Sequence, residues 1–216
     1  GETEDFRFLV SVLRERLGST PLGAVGYSLG GNVLLKYLGE EGERASLDAA
    51  VSVCAPLVLS KCAERLGRGL SRVYQWYLLI SLKRGLREKM RSMGAGLHLG
   101  LEPRDVKRIR TIPAFDEYVT APLHGFHSAD DYYDKSSSRQ FLGAIRCPVL
   151  VLQARDDPFM QPDVLPEARE LSDSVELEIS PGGGHVGFVT GPVPWKPIYW
   201  LDDKIPDYLT VRLRPD

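Results

Sequence analysis

Residues 22–32 read Leu22-Gly23-Ala24-Val25-Gly26-Tyr27-Ser28-Leu29-Gly30-Gly31-Asn32, and they are the most informative part of the chain. A short apolar run ends at Gly26, and a helical pattern begins after Gly30-Gly31 and continues to Leu38. Between them lies a G-x-S-x-G motif centred on Ser28, in the strand–turn–helix context that makes this motif informative. The pattern therefore predicts a strand over residues 22–27, a sharp turn, and a helix over residues 30–40.

Ser28 occupies the position at which a serine can become a nucleophile. A residue on so sharp a turn adopts a strained backbone conformation, and its hydroxyl then projects clear of the sheet. We expect Gly26 and Gly30 to let the strand and the helix pass without a Cβ clash. The backbone N–H of Leu29 opens the helix, where it can stabilise an oxyanion. The alternative interpretation is a glycine-rich turn in which Ser28 only caps the helix.

The composition of the chain excludes several classes of protein. Its 216 residues are 43% hydrophobic and 26% charged, which is typical of one soluble globular domain with a substantial core. The net charge of -2 argues against nucleic-acid binding. Cys54, Cys62 and Cys147 are widely spaced and form no C-x-x-C pair, so we interpret them as reduced thiols of a cytoplasmic protein. No apolar run reaches the length of a membrane-spanning helix.

Helical and strand patterns alternate on both sides of the motif. The predicted helices cover residues 3–17, 30–40, 162–171 and 195–213, and the predicted strands cover residues 22–27, 49–54, 148–153 and 175–179. Such alternation is typical of a mostly parallel sheet with helices on both faces. The sequence therefore predicts an α/β fold in a single domain of residues 1–216.

The alternation is interrupted between about residues 57 and 140, where only helical patterns occur. Two helices are predicted over residues 59–93, and shorter ones around 105–109, 114–119 and 130–138. We interpret this insertion as a helical cap over the carboxyl ends of the strands.

The first part of the predicted cap is strongly basic. From Leu59 to Met93, nine lysines and arginines stand against two glutamates, a formal charge of +7, beside the aromatic and aliphatic run of residues 76–80. This combination suggests peripheral contact with anionic lipid. The alternative is an ordinary cap whose basic side chains are solvated.

Three residue types fall in the chain order Ser…Asp…His, each after a predicted strand. Ser28 needs a base to activate its hydroxyl, and His185 in the glycine-rich loop 181–188 can supply one. A carboxylate must then orient the imidazole, and Asp156 and Asp157 compete for that role. Position in the loop favours Asp157, because it lies one residue further on and directly before Pro158, whereas Asp156 could brace the turn.

A second group of polar residues has the composition of a metal site but not its spacing. His124 and His127 lie near Asp130 and Asp131. H-x-x-H in a loop lacks the i, i+4 helical pairing of a zinc site, so we expect no metal there. Catalysis through an acyl-enzyme on Ser28 needs no metal and no organic cofactor, and we expect neither.

The motifs together resemble one known family, the YheT-like α/β-hydrolases, which are relatives of abhydrolase-domain lipases and yeast ethanol acyltransferases. The matching segments are residues 26–32, Phe115-Asp116, residues 120–126, Asp131-Tyr132-Tyr133, Asp156-Asp157-Pro158-Phe159 and residues 183–188. The resemblance covers essentially all of the chain. It implies a serine hydrolase of ester or lipid substrates with Ser28, Asp157 and His185 as its triad.

The same resemblance implies that N-terminal strands of the fold are missing here, together with the loop that supplies a second oxyanion donor. We therefore expect the strand over residues 22–27 to lie at an exposed sheet edge, and the isolated chain to be neither well folded nor active.

The predicted function is hydrolysis of carboxylic esters through an acyl-enzyme on Ser28, with short- to medium-chain acyl esters or lipid esters as substrates. One alternative is an acyltransferase with the same triad, in which an alcohol resolves the acyl-enzyme. Another is an inactive remnant of the hydrolase fold.

Overall fold

The computed structural model describes residues 3–93, 99–193 and 195–214. The chain forms two compact units, one made of Gly1–Val58 and Ser136–Asp216 and the other of Leu59–Lys135. Four strands form the sheet of the first unit: β1 (Gly23–Tyr27), β2 (Ala49–Val53), β3 (Val149–Ala154) and β4 (Val175–Ser180). The α-helices are α1 (Glu4–Leu17), α2 (Leu29–Glu41), α3 (Leu59–Leu66), α4 (Ser71–Met93), α5 (Pro103–Arg108), α6 (Ile112–Phe115), α7 (Ala121–Leu123), α8 (Ala129–Ser136) and α9 (Trp200–Arg212).

The four strands are parallel and lie side by side in chain order, which confirms the predicted α/β class. Tyr27 at the end of β1 pairs with Val53 of β2, and Val53 pairs with Leu152 of β3. The loops that follow these strands therefore leave the sheet at the same edge, where open α/β sheets place their sites.

Both faces of the sheet are covered by apolar side chains, because successive residues of a strand point to opposite faces. On one face, Ala50, Val149 and Val151 pack in a cluster with Leu34 and Leu38 of α2. On the other face lies a second cluster, which contains Val51, Val53, Leu150, Leu152, Phe188, Leu201, Ile205 and Tyr208. Helices thus flank the sheet as predicted, with α1 and α2 on one side and α9 on the other.

Strand β1 lies at an edge of the sheet, as predicted for residues 22–27. β1 is the first strand in the order, and the side chains of Val25 and Tyr27 are exposed. The expectation that the isolated chain is unstable and inactive stays a prediction.

Helices are the only regular secondary structure in the described residues of the second unit, in agreement with the sequence patterns. A π-helical turn, Asp116–Thr120, lies between α6 and α7. It buries Asp116, whose carboxylate accepts hydrogen bonds from the hydroxyls of Tyr133 (2.6 Å) and Thr120 (2.7 Å), and burial raises the pKa of this carboxyl. The unit lies inside the predicted limits of 57–140, while its role as a cap stays a prediction.

Two helix predictions are wrong, and proline explains both. Residues 162–171 form only two 3₁₀ turns, Pro162–Val164 and Ala168–Glu170, because Pro166 disfavours helical geometry at the residue before it. The terminal helix begins at Trp200 rather than at residue 195, since Pro197 disfavours helical geometry at the preceding lysine. Ahead of α9, a short antiparallel pair forms from β5 (Val189–Thr190) and β6 (Ile198–Tyr199).

None of the helices in the described ranges is both long and apolar enough to cross a bilayer.

Candidate active site

Ser28 lies in the sharp turn between β1 and α2. Its backbone has φ 50° and ψ −124°, a strained conformation for a residue with a side chain, and its N–H donates to the Val53 carbonyl at 2.8 Å. The backbone N–H groups of Gly31 and Asn32 donate to the Ser28 carbonyl, while its hydroxyl makes no capping bond to the helix. The hydroxyl is therefore available for another partner.

The glycines of the motif differ in whether the surrounding structure leaves room for a Cβ atom. A Cβ on Gly26 would lie closer than 3 Å to the backbone of Gly30 and Gly31, so this glycine is required as predicted. A Cβ on Gly30 would meet nothing within 4 Å, and the prediction for this position is wrong. The close approach falls one residue later, where a Cβ on Gly31 would lie 2.6 Å from Oγ of Ser52. The helix turns Gly30 outward and Gly31 toward the sheet.

His185 is the partner of the Ser28 hydroxyl. Its Nε2 lies 2.8 Å from Oγ of Ser28. The imidazole belongs to the loop after β4, in which the Phe188 N–H donates to the Gly183 carbonyl at 2.8 Å. Val186 and Phe188 both adopt positive φ angles, so a tightly folded backbone holds the histidine at the sheet edge.

Asp157, rather than Asp156, faces the imidazole. Oδ2 of Asp157 lies 2.9 Å from Nδ1 of His185, and its Oδ1 accepts the Phe159 N–H at 2.8 Å. The Asp157 side chain is fully buried. Oδ1 of Asp156 instead accepts the N–H of Gly184 at 2.9 Å and braces the histidine loop.

Phe159 completes the environment of the histidine. Its ring lies 4.0 Å from the imidazole, measured between centroids, with 34° between the ring planes. The aromatic contact limits rotation of the imidazole.

Leu29 is the first residue of α2, directly after Ser28. The N–H groups of a helix's first turn have no acceptor within the helix, and the positive end of the helix dipole lies there. The position suits the predicted oxyanion donor, and that role stays a prediction.

Cys54 is a neighbour of these groups that the sequence analysis did not assign to the site. Its Sγ, a carboxylate oxygen of Asp157 and a ring nitrogen of His185 all lie within 4.8 Å of one another. Cys54 directly follows β2, as Ser28 follows β1, and this shared position after a parallel strand is the signal that could have identified it.

Among the described residues, that same trio is the one cluster with metal-ligating atoms close enough to hold an ion. The residues near His127 are engaged differently: the His127 N–H donates to Asp131, and Asp131 pairs with Lys135 at 2.6 Å.

Comparison with known proteins agrees with the fold. The alpha/beta hydrolase fold family matches residues 2–192. The chain is 42% identical to the protein YheT of Escherichia coli strain K12 over 213 residues, which are 99% of this chain and 62% of that protein. It is 32% identical to a monoacylglycerol lipase of Saccharomyces cerevisiae over 192 residues, 87% of this chain and 42% of the lipase. The chain thus spans 62% or less of the length of these two relatives.

A solved α/β fold family hydrolase from Bacillus anthracis strain Sterne superposes with a TM-score of 0.56 at 14% identity, over 98% of this chain and 74% of that structure. This likeness concerns the fold alone. The predicted resemblance to YheT-like hydrolases is confirmed by the sequence comparison.

Proposed function

The chain belongs to the alpha/beta hydrolase fold family, and on that premise we propose that it hydrolyses carboxylic esters through an acyl-enzyme on Ser28. The observation that carries the proposal is the continuous pair of contacts from Oγ of Ser28 to His185 and from His185 to the buried carboxylate of Asp157. This arrangement contains a nucleophile, a base and a carboxylate that orients the base.

In the acylation step, Oγ of Ser28 attacks the ester carbonyl carbon while Nε2 of His185 takes the hydroxyl proton. The carbonyl oxygen becomes an oxyanion, which the N–H of Leu29 stabilises at the start of α2. The imidazolium then gives its proton to the departing alcohol, and an acyl-Ser28 ester remains. Asp157 stays ionised, fixes Nδ1–H toward itself and stabilises the imidazolium.

In the deacylation step, His185 takes a proton from a water molecule that attacks the acyl carbon. Collapse of the second oxyanion releases the carboxylic acid, and the proton returns to Ser28.

Steady-state hydrolysis of a p-nitrophenyl ester tests this proposal in the native polypeptide that carries the sequence. We expect His185→Ala to lower kcat on the order of 10⁴-fold, because Nε2 of His185 is the base in contact with Oγ of Ser28. Asp156→Asn should leave kcat within about tenfold of the parent, because Asp156 touches the loop backbone and not the imidazole. Equal losses in both variants would contradict the assignment of the base and its orienting carboxylate.

Lipid esters are the substrate class that we favour. The support is the identity to a protein named as a monoacylglycerol lipase. A second support is an exposed surface on the second unit that suits a membrane.

We define this basic–aromatic surface by helix α4 and the residue before it. Its first half exposes large apolar side chains: Leu70, Val73, Tyr74, Trp76, Tyr77 and Ile80. Its second half carries most of the basic residues of the region, with exposed side chains at Arg84, Lys89 and Arg91. Aromatic rings beside lysine and arginine are the composition of helices that lie at the lipid headgroups.

We propose that this surface docks on anionic lipid, and co-sedimentation with vesicles tests it. The native polypeptide should bind phosphatidylcholine vesicles more tightly once phosphatidylserine is added, since each basic residue near the surface contributes about 1 kcal/mol. Arg84→Glu with Arg91→Glu should remove the dependence on phosphatidylserine. Arg44→Glu, an exposed arginine of the first unit, is the matched control and should retain it. Binding that ignores phosphatidylserine would contradict the proposal.

We further propose that the protein works in a reducing compartment such as the cytoplasm. The support is that Cys54, Cys62 and Cys147 are all free and buried.

A further inference from the structure

Cys54 is held at the sheet edge by the same local geometry as Ser28. It directly follows β2, its N–H donates to the Leu152 carbonyl at 2.8 Å, and its φ is +48°, close to the +50° of Ser28. Positive φ is rare for a residue with a side chain and is kept only where the surrounding structure enforces it. The thiol is therefore directed to one place beside the triad rather than packed at random in the core.

Two acceptors lie within reach of the thiol. Sγ is 3.8 Å from the carbonyl oxygen of Gly184, the residue before His185. Sγ also lies within 4.8 Å of both a carboxylate oxygen of Asp157 and a ring nitrogen of His185. A thiol carries one proton, and a charged acceptor binds it more strongly than a neutral carbonyl.

The thiol is a donor in this position and not a second nucleophile. Burial, followed by the neighbouring Asp157 carboxylate, raises the pKa of the Cys54 thiol to about 12. The S–H group therefore keeps its proton at any pH at which His185 works as a base.

Asp157 needs such a donor, because its carboxylate is fully buried. A buried charge is stable only when its oxygens are hydrogen bonded. Among the described residues, the N–H of Phe159 contacts Oδ1 and Nδ1 of His185 contacts Oδ2, and Sγ of Cys54 lies within 4.8 Å of a carboxylate oxygen. The neighbouring Asp156 carboxylate is occupied by the N–H of Gly184.

We propose that Cys54 is a positioning residue of the esterase site, whose S–H donates to the Asp157 carboxylate and holds it in the orientation that the imidazole requires. The inference rests on the proposed function, since it assigns Asp157 to the orientation of His185. The competing interpretation is that Cys54 only fills space in the core, as buried cysteines commonly do.

The two interpretations differ in the pH dependence of kcat/KM. When the donor is removed, the Asp157 charge is less compensated and stabilises the imidazolium more strongly. The acidic limb of the profile therefore moves to higher pH. A residue that only fills space would change the rate or the stability without moving that limb.

The test compares Cys54→Ala, Cys54→Ser and Cys147→Ala in the native polypeptide. Cys147 is the matched control, because it is also a buried thiol with a pKa raised to about 12 by burial, and it lies in the core cluster on the α2 side of the sheet. We expect Cys54→Ala to lose about tenfold in kcat/KM, the size of one hydrogen bond to a charged group, and to shift the acidic limb upward. Cys54→Ser keeps a donor and should restore the position of the limb. Cys147→Ala should leave it unchanged.

Fluorophosphonate labelling of Ser28 distinguishes a failure of the positioning role from a failure of the proposed function, and thermal melting checks that each variant is folded. If the parent protein is labelled and Cys54→Ala retains the parent's acidic limb, the positioning role is wrong while the esterase proposal stands. If the acidic limb of the kcat/KM profile moves equally in Cys54→Ala and Cys54→Ser, the positioning role is also contradicted. The shift would then be due to the lost volume of the sulfur atom and not to the lost donor. If the parent is not labelled at Ser28, the proposed function itself is wrong.

Discussion

A Cβ placed on Gly26 would lie 2.6 Å from the carbonyl oxygen of Gly30, so the strand before the nucleophile passes directly against the first turn of the helix after it. Backbone atoms cannot yield to such a contact without moving Ser28. We expect Gly26→Ala to abolish esterase activity and to lower the free energy of unfolding by about 1–3 kcal/mol, as overpacking does. Thermal melting and a p-nitrophenyl ester assay measure both effects.

Gly30→Ala is the matched variant of the same motif. Because a Cβ at Gly30 meets nothing within 4 Å, we expect a melting temperature at or above that of the parent, since alanine favours a helix over glycine by about 1 kcal/mol. A Gly30→Ala protein as unstable as Gly26→Ala would show that the turn is packed differently.

The ring of Phe159 gives a prediction about the histidine. Its tilted contact with His185, 4.0 Å between ring centroids, should contribute about 0.5–1.5 kcal/mol to the orientation of the imidazole. Phe159→Leu should therefore lower kcat up to about tenfold, whereas Phe159→Tyr, which keeps an aromatic ring, should stay near the parent rate. A leucine variant with the parent kcat would contradict a role for the ring.

Asn32 connects the helix of the nucleophile to residues 136–138. Its Nδ2 donates to the Ser136 carbonyl at 2.8 Å, its Oδ1 accepts the Ser138 N–H at 2.9 Å, and the residue is fully buried. Asn32→Ala leaves both backbone groups without their Asn32 partner. We expect the free energy of unfolding, measured in urea, to fall by about 1–3 kcal/mol for each group. Asn32→Asp keeps the acceptor but buries a charge, so it should also destabilise the fold. An alanine variant with unchanged stability would contradict this account of the motif's asparagine.

The pair Arg139–Glu170 predicts a change of stability in acid. Arg139 binds both carboxylate oxygens of Glu170, at 2.8 and 2.7 Å, and chiefly lowers the pKa of Glu170 from 4.5 to about 2. A depressed pKa stabilises the fold above pH 4.5, and this stabilisation is lost as pH falls from there toward 2. The melting temperature of the parent should exceed that of Glu170→Gln at neutral pH, and the difference should shrink in that acidic window. A difference that is constant with pH would contradict this linkage.

Much of the sheet was predictable because each parallel strand is a short apolar run with a clear end. The patterns over residues 22–27, 49–54, 148–153 and 175–179 all correspond to strands β1 to β4. Periodicity failed at residues 162–171, where the apolar spacing of a helix is present but Pro166 prevents its geometry. The local sequence also predicted that a Cβ would clash at Gly30. In the structure the clash would occur at Gly31, because the helix turns Gly31 toward the sheet.

The candidate site was predictable only in part, for a physical reason. Ser28, Asp157 and His185 each carry a local signal, since a turn motif, an Asp-Asp-Pro loop and a glycine-rich loop mark them in the sequence. Cys54 carries only its position at the end of a predicted strand, because its closeness to Asp157 depends on the pairing of β2 with β3, and strand order is a property of the whole fold. The same holds for the Phe159 ring, whose contact with His185 depends on where two separate loops meet.

The central claim is that Ser28 is a nucleophile activated by His185, and covalent labelling tests it most directly. The native polypeptide is treated with a fluorophosphonate probe, digested, and analysed by mass spectrometry to locate the adduct. We predict a single adduct on Ser28, no labelling in Ser28→Ala, and labelling slowed on the order of 10⁴-fold in His185→Ala. An adduct on another residue, or labelling undiminished in Ser28→Ala, would contradict the claim.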